Sequence, residues 1–141
     1  LTPHVAEAAR LLHCSPATIN HNRYLAIQQL QQQYGGIVIL KGAGTLLIDN
    51  EHALTLSPYG NPGMASGGMG DLLSGIIGGL WAQGMPAYLA AKFGVCIHSL
   101  AADYAARAIG NIGFTASDLL SYLPALINKP TTIPLYYDYK M

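Results

Sequence analysis

The chain has 141 residues, 51% of them hydrophobic and 10% charged, and its seven basic residues balance seven acidic ones. That length and composition predict one domain with a buried core and exclude a disordered chain. The balanced charge leaves no footprint for nucleic acid or an anionic membrane surface, so the expected partner is a small molecule.

The chain opens on Leu1 with no charged-then-apolar leader, which reads as the absence of a signal peptide and suggests a truncated chain. Val5 to Leu12 and His21 to Tyr34 have helical character; Asn20 is the candidate cap of the second helix, and Gly35-Gly36 ends it. Ile37-Val38-Ile39-Leu40 is a continuous aliphatic run, the pattern of a strand buried on both faces in a parallel or mixed sheet, and Lys41 stands at its carboxyl end. Thr45 to Asp49 and Ala53 to Leu56 read as a hairpin around Asn50-Glu51-His52.

The glycine-rich stretch follows. Gly60-Asn61-Pro62-Gly63-Met64-Ala65-Ser66-Gly67-Gly68-Met69-Gly70-Asp71 leads into an apolar helix on which Leu72, Leu73, Ile76, Ile77, Leu80 and Trp81 share one face. Ser74, Gly75, Gly78, Gly79 and Ala82 keep its other sides small, which suits close packing against a neighbouring backbone. Leu72 to Ala91 carries no charge over twenty positions, but Gln83-Gly84-Met85-Pro86 interrupts it, so two buried helices are expected rather than a membrane span. Pro86 starts the next helix, which stops near Gly110; a shorter helical segment runs from Ser117 to Ile127, and Tyr136 to Tyr139 reads as an edge strand or an ordered tail.

A helix start is an anion site, because its first N–H groups lack partners and the macrodipole is positive there; Gly67, Gly68 and Gly70 let a phosphate approach the backbone. Asp71 in that position either serves the helix, as a cap or a dipole partner, or serves a ligand. Lys41 is either a strand-end lysine with its stem packed or a ligand contact, Thr45 either a strand former or a ligand contact, and His4 either a turn residue or a ligand contact. His98 lies within a helix and reads as packing. Cys14 and Cys96 lack metal or disulfide spacing, which fits a reducing, cytoplasmic setting, and the five histidines form no metal constellation.

Taken in order, Leu1-Thr2-Pro3-His4, Leu40-Lys41-Gly42-Ala43-Gly44-Thr45, the Gly60 to Ala65 loop and Gly68-Met69-Gly70-Asp71 before an apolar helix ending Ala82-Gln83-Gly84 closely resemble the carboxyl-terminal half of the ADP/ATP-dependent NAD(P)H-hydrate dehydratases. The resemblance covers positions 1 to about 125. It departs from the family where Val5-Ala6, rather than proline and glycine, follow His4. It implies a ribokinase-like three-layer α/β/α fold, of which residues 1–141 are the carboxyl-terminal portion.

The same resemblance implies a lyase of metabolite repair. Its substrate is NADH or NADPH that has gained water across the C5–C6 bond of the ring, and its co-substrate is ADP or ATP with Mg²⁺ carried by the phosphates. Asp71 is implied as the base acting on the C6 hydroxyl, and the N–H groups of Gly68, Met69 and Gly70 as an anion hole. Lys41, Gly42, Ala43, Gly44, Thr45 and Gly70 are implied at the nucleotide, and His4, Asn61 and Asp71 at the hydrated dinucleotide. Homo-oligomers are common in the family, and self-association is expected here.

Two rivals stand beside this reading. A ribokinase-like small-molecule kinase would keep its phosphorylated product; sugar kinases of this type usually place Asp-Thr ahead of Gly-Ala-Gly-Asp, where this chain has Ala65-Ser66-Gly67. A partial nucleotide-binding module would bind without turnover, and the isolated 141 residues are expected to show little.

Overall fold

The structure, a computed structural model, describes residues 1–129 and the strand Tyr137–Asp138. The chain divides into two compact units, the first containing Leu1–Pro58 and that strand, the second beginning at Tyr59. The sequence reading expected one domain.

In the first unit three helices, α1 (Val5–Leu11), α2 (Pro16–His21) and α3 (Arg23–Tyr34), precede strands β1 (Val38–Leu40), β2 (Thr45–Ile48) and β3 (Thr55–Ser57). The predicted helix from His21 is displaced and its cap corrected. Ser15 and Pro16 open a short helix of their own, and Asn22, not Asn20, accepts the Leu25 N–H at 3.0 Å to start α3. Gly35, at φ 68°, ends α3 as expected.

Helix α1 closes differently. Cys14 N–H bonds Ala9 O at 2.9 Å and His13 N–H bonds Arg10 O at 3.3 Å, the paired bonds of a Schellman ending. His13 occupies the left-handed position at φ 52°, where a Cβ is strained. Replacing His13 with glycine is expected to raise stability by about 1 kcal/mol, read as an increased urea midpoint at unchanged slope.

β1, β2, β3 and β4 (Tyr137–Asp138) form a sheet in that order, every assigned pair antiparallel, with Leu40 opposite Leu46 and Leu46 opposite Leu56. On the other edge of β1 the Leu1 nitrogen donates to Ile37 O and Ile39 N–H donates to Leu1 O, each at 2.8 Å, and Lys41 N–H donates to Pro3 O at 2.9 Å. That alternation between flanking residues is the parallel pattern. Leu1 to Pro3 thus runs beside β1 without being a strand. The assigned sheet, expected from the sequence as parallel or mixed, is antiparallel throughout, because short turns rather than crossover helices join β1 to β2 and β2 to β3. The hairpin turn sits where expected, held by Asp49, whose carboxylate accepts the N–H groups of Glu51 and His52 at 3.0 and 2.7 Å.

Val38, Leu40 and Leu46 join Ile19, Ile27 and Leu30 in one core, while Ile39 and Leu47, on the opposite face, are also buried. Burial on both faces explains why the strand sequence does not alternate. Each such aliphatic side chain contributes about 1.5–3 kcal/mol, and a one-residue slip in register would exchange the faces. In the predicted Tyr136 to Tyr139 segment, residues 137 and 138 are the edge strand β4; positions 136 and 139 lie outside the described residues.

The second unit is helical: α4 (Met69–Ala82), α5 (Ala87–Ile109), α6 (Ala116–Leu119) and α7 (Leu123–Asn128). The segment expected as one helix from Ser117 to Ile127 is two, because Pro124 has no N–H to continue a ladder from Leu120 and its ring crowds the preceding turn. Met69, Leu73, Ile76 and Leu80 are the buried stripe of α4, whereas Trp81, expected on that face, is 63% exposed. The close helix approach also belongs to a different residue. A Cβ at Gly94 of α5 would lie 2.7 Å from Ile77 Cγ1, while Gly75, Gly78 and Gly79 face open space. Among the described residues no helix is long and apolar enough to cross a membrane.

Candidate functional site

In the second unit the glycine stretch begins with Asn61, whose side-chain oxygen accepts the Gly63 N–H at 3.0 Å and caps a short 3₁₀ turn over Pro62–Met64. Asp103, on α5, holds the start of the stretch: Gly60 N–H donates to Oδ2 at 3.1 Å and Asn61 Nδ2 donates to Oδ1 at 2.9 Å. Gly63 then lies against Phe114, so closely that a Cβ there would come within 2.3 Å of the ring. One polar and one apolar anchor thus fix the same four residues.

At the other end of the stretch Gly68 caps α4 with φ 84°, a conformation suited to glycine, and supplies no side-chain bond to the first turn. The buried Met69 side chain roots that turn in the core. Asp71 follows the cap by three residues and is exposed; its carboxylate has no hydrogen-bond or ion-pair partner among the described residues. Asp71 is therefore not the helix cap, and it makes no reciprocal bond to Gly68 such as a capping box requires. What remains is a carboxylate beside uncapped N–H groups, an arrangement that admits an anion and leaves a base unencumbered. Ser74, by contrast, spends its hydroxyl on Gly70 O at 3.0 Å. An open apolar cavity of about 580 Å³, lined in part by Leu80, Met85, Phe93 and Ile127, lies near the far end of α4 from Asp71.

In the first unit Lys41 follows β1, and Gly42 to Gly44 turn the chain into Thr45, the first residue of β2. Thr45 Oγ1 donates to Gly42 O at 3.2 Å. Arg23, the first residue of α3, reaches this turn: Nη2 donates to Leu40 O at 3.1 Å and Nη1 donates to Ala43 O. A Cβ on Gly42 would lie 3.0 Å from Nη2, so the turn rests directly on the guanidinium. Nothing in the sequence marks Arg23 for this role, since seventeen to twenty residues separate it from the carbonyls it holds.

His4 is the cap of α1. Its Nδ1 accepts the Glu7 N–H at 3.2 Å, and Glu7 Oε2 accepts the His4 N–H at 2.7 Å, a complete capping box. An accepting Nδ1 places the ring hydrogen of neutral His4 on Nε2, which lies 3.4 Å from Glu7 Oε1. Glu7 Oε2 is also 3.8 Å from Lys41 Nζ. One carboxylate therefore joins His4 to Lys41 at the carboxyl end of β1. Sequence reasoning missed Glu7, although the His-x-x-Glu spacing before an apolar run was an available signal.

The bond from His4 N–H is the main cause that holds the Glu7 carboxyl below its usual pKa; burial opposes it, and the attraction of Lys41, His4 and Arg10 adds to the lowering. A depressed folded value stabilises the protein above the unfolded pKa, and that contribution is lost as pH falls through the folded value. Glu7→Gln keeps an acceptor for His4 N–H, so at neutral pH it is expected to cost no more than about 1 kcal/mol, given the exposure of the pair. Its thermal midpoint should fall less steeply than that of the unmodified chain below the ordinary glutamate range. Melting curves over an acid pH series check this.

Residues 1–125 match the family model described as NAD(P)H-hydrate dehydratase. The chain belongs to this family. It is 54% identical over 128 residues to a bifunctional NAD(P)H-hydrate repair enzyme of Vibrio cholerae, covering 91% of the chain and 26% of that enzyme. It is 42% identical over 110 residues to an ADP-dependent (S)-NAD(P)H-hydrate dehydratase of Neisseria meningitidis, covering 78% of the chain and 37% of that enzyme.

Among solved structures, the ADP/ATP-dependent NAD(P)H-hydrate dehydratase of Bacillus subtilis, co-crystallised with ATP/Mg²⁺, superposes with a TM-score of 0.86 at 26% identity. The match covers 92% of this chain and 47% of that one. A ribokinase-like superfamily protein of Enterococcus faecalis superposes with a TM-score of 0.76 at 31% identity, over 91% and 43% of the two chains. The fold is accordingly α/β and ribokinase-like. The chain of this family member spans about a quarter of the repair enzymes it matches and about half of the matched structures.

Proposed function

We propose that residues 1–141 form the carboxyl-terminal portion of a ribokinase-like domain that dehydrates hydrated NADH or NADPH at the expense of ADP or ATP. The observation that carries this reading is the start of α4, where an uncapped first turn at Gly68 adjoins the unpartnered carboxylate of Asp71. Membership of the dehydratase family supports it, as does the name of the Neisseria relative, which specifies ADP.

In this reaction Asp71 takes the proton of the C6 hydroxyl as that oxygen attacks the terminal phosphoryl group, and AMP or ADP leaves. The phosphorylated oxygen is a better leaving group than hydroxide, so the ring nitrogen lone pair expels phosphate and loss of a C5 proton restores the double bond. The N–H groups of Gly68, Met69 and Gly70 stabilise charge on the transferred group, and placement against the nucleophile contributes further. Lys41 to Thr45, with Gly70, hold the nucleotide; Arg23 sets the shape of that turn from beneath. His4, Asn61 and Asp71 hold the dinucleotide.

Among the described residues no group of three acidic, histidine or cysteine side chains could hold a metal ion. Mg²⁺ carried on the nucleotide phosphates would neutralise part of their charge. Cys14 and Cys96, in no disulfide among the described residues, fit a cytoplasmic setting, and self-association would cover apolar side chains such as Ile109 and Leu120.

Incubating the complete domain with hydrated NADH and ADP or ATP is expected to regenerate NADH absorbance. A stable phosphorylated product without NADH recovery would identify a kinase instead. The 141 residues alone are expected to show little turnover, and robust recovery from them would refute their assignment as a dependent portion of the domain.

A further inference from the structure

Asp103 takes no part in the reaction just described, yet it governs what Asn61 can offer a ligand. Its two oxygens accept from Gly60 N–H and Asn61 Nδ2, 3.1 and 2.9 Å away, while Asn61 Oδ1 accepts from Gly63 N–H at 3.0 Å. An ionised carboxylate can only accept and a backbone N–H can only donate, so the amide of Asn61 cannot be turned over without opposing two like groups. One Nδ2 hydrogen is left uncommitted by these bonds. Attachment alone would not require this, because Gly63 is already seated against Phe114.

We propose that Asp103 is a positioning residue of the dehydratase site: it locks the Asn61 amide so that its spare Nδ2 hydrogen is donated to an oxygen acceptor of the bound dinucleotide. This rests on the dehydratase reading and deepens it, assigning Asn61 a donor role and its ligand atom an oxygen. The locked amide favours a hydroxyl or phosphate oxygen and rejects a group that can only donate.

The test uses the complete domain and two variants. Asp103→Asn is expected to lower the thermal midpoint. It should also raise KM for the hydrated dinucleotide, and Kd for NADPH as a non-reacting probe, by roughly tenfold or more, the worth of a charge-assisted bond. KM for the nucleotide should stay within about twofold.

Exchanging the pair, Asn61→Asp with Asp103→Asn, rebuilds every internal bond. The new amide at 103 accepts from Gly60 and donates to the new carboxylate at 61, whose other oxygen accepts from Gly63. The midpoint should therefore return, while the dinucleotide KM and the NADPH Kd stay raised, because no donor remains at position 61. Recovery of both would reduce Asp103 to a structural brace and overturn the proposal. A midpoint that does not return, or an Asp103→Asn variant indistinguishable from the unmodified protein, would overturn it as well. Failure of the dehydratase reading looks different: the unmodified domain would not regenerate NADH, while midpoints and NADPH titration would still decide the role of Asp103.

Discussion

Asp71→Asn in the complete domain is expected to lower kcat by about 10²- to 10⁴-fold, the usual worth of a general base. Asparagine has nearly the same volume and cannot accept the C6 hydroxyl proton, so the loss falls on chemistry. Folding should change little: Asp71 is exposed, makes no partner bond among the described residues and is not the cap of α4. Only its favourable interaction with the helix dipole disappears, about 0.3–1 kcal/mol.

The sign expected for nucleotide binding separates this from a folding defect. Removing a negative charge beside the uncapped N–H groups of the first turn should leave ADP or ATP affinity unchanged or tighter. Steady-state turnover with parallel nucleotide titration and a melting curve checks all three quantities. Normal turnover in the variant would return Asp71 to a dipole role.

The second large effect concerns the fold beneath that loop. Gly63→Ala is expected to destabilise the second unit by about 3 kcal/mol, at the upper end of the usual range for overpacking. Its Cβ would come within 2.3 Å of Phe114 Cε1 and 2.8 Å of Asn111 O, and the backbone carbonyl is not a flexible side-chain end that can step aside. Phe114 is itself buried in the core of α4 and α5, so the strain spreads.

Gly67→Ala is the control, because a Cβ there meets nothing within 4 Å. It should stay within about 0.5 kcal/mol of the unmodified chain. Urea unfolding followed by circular dichroism compares the two, and equal midpoints would show that the Gly63 contact relaxes without cost.

The capping box of α1 and the exit of β1 show how far residue order can be read. The spacing of His4 to Glu7 and the aliphatic run before Lys41 are local, and local geometry follows from them: a helix start, a buried strand, a turn rich in glycine. Helix boundaries were less legible where two caps competed. Asn20 and Asn22 are equivalent by residue type, and only the Ser15-Pro16 start of α2 decides that Asn22 opens α3. Trp81 is apolar, but it is turned about 100° around α4 from Leu80, off the stripe formed by Met69, Leu73, Ile76 and Leu80, so it is exposed while Leu80 is buried.

By itself the sequence determined the family signature, the buried strand β1, the turn after it and the glycine stretch ending in Asp71, because each is carried by neighbours within a few residues; the antiparallel pairing of the sheet was not legible in it. Only the tertiary structure decided what stands behind those segments. Arg23 under the Lys41 turn and Asp103 behind Asn61 act across seventeen to forty-three residues of chain. No periodicity or propensity records such a pairing, since a charged side chain on a helix reads the same whether it faces water or holds a loop. The structure likewise settled that Asp71 does not cap α4: Gly68 occupies that place through a left-handed backbone that no side-chain pattern announces.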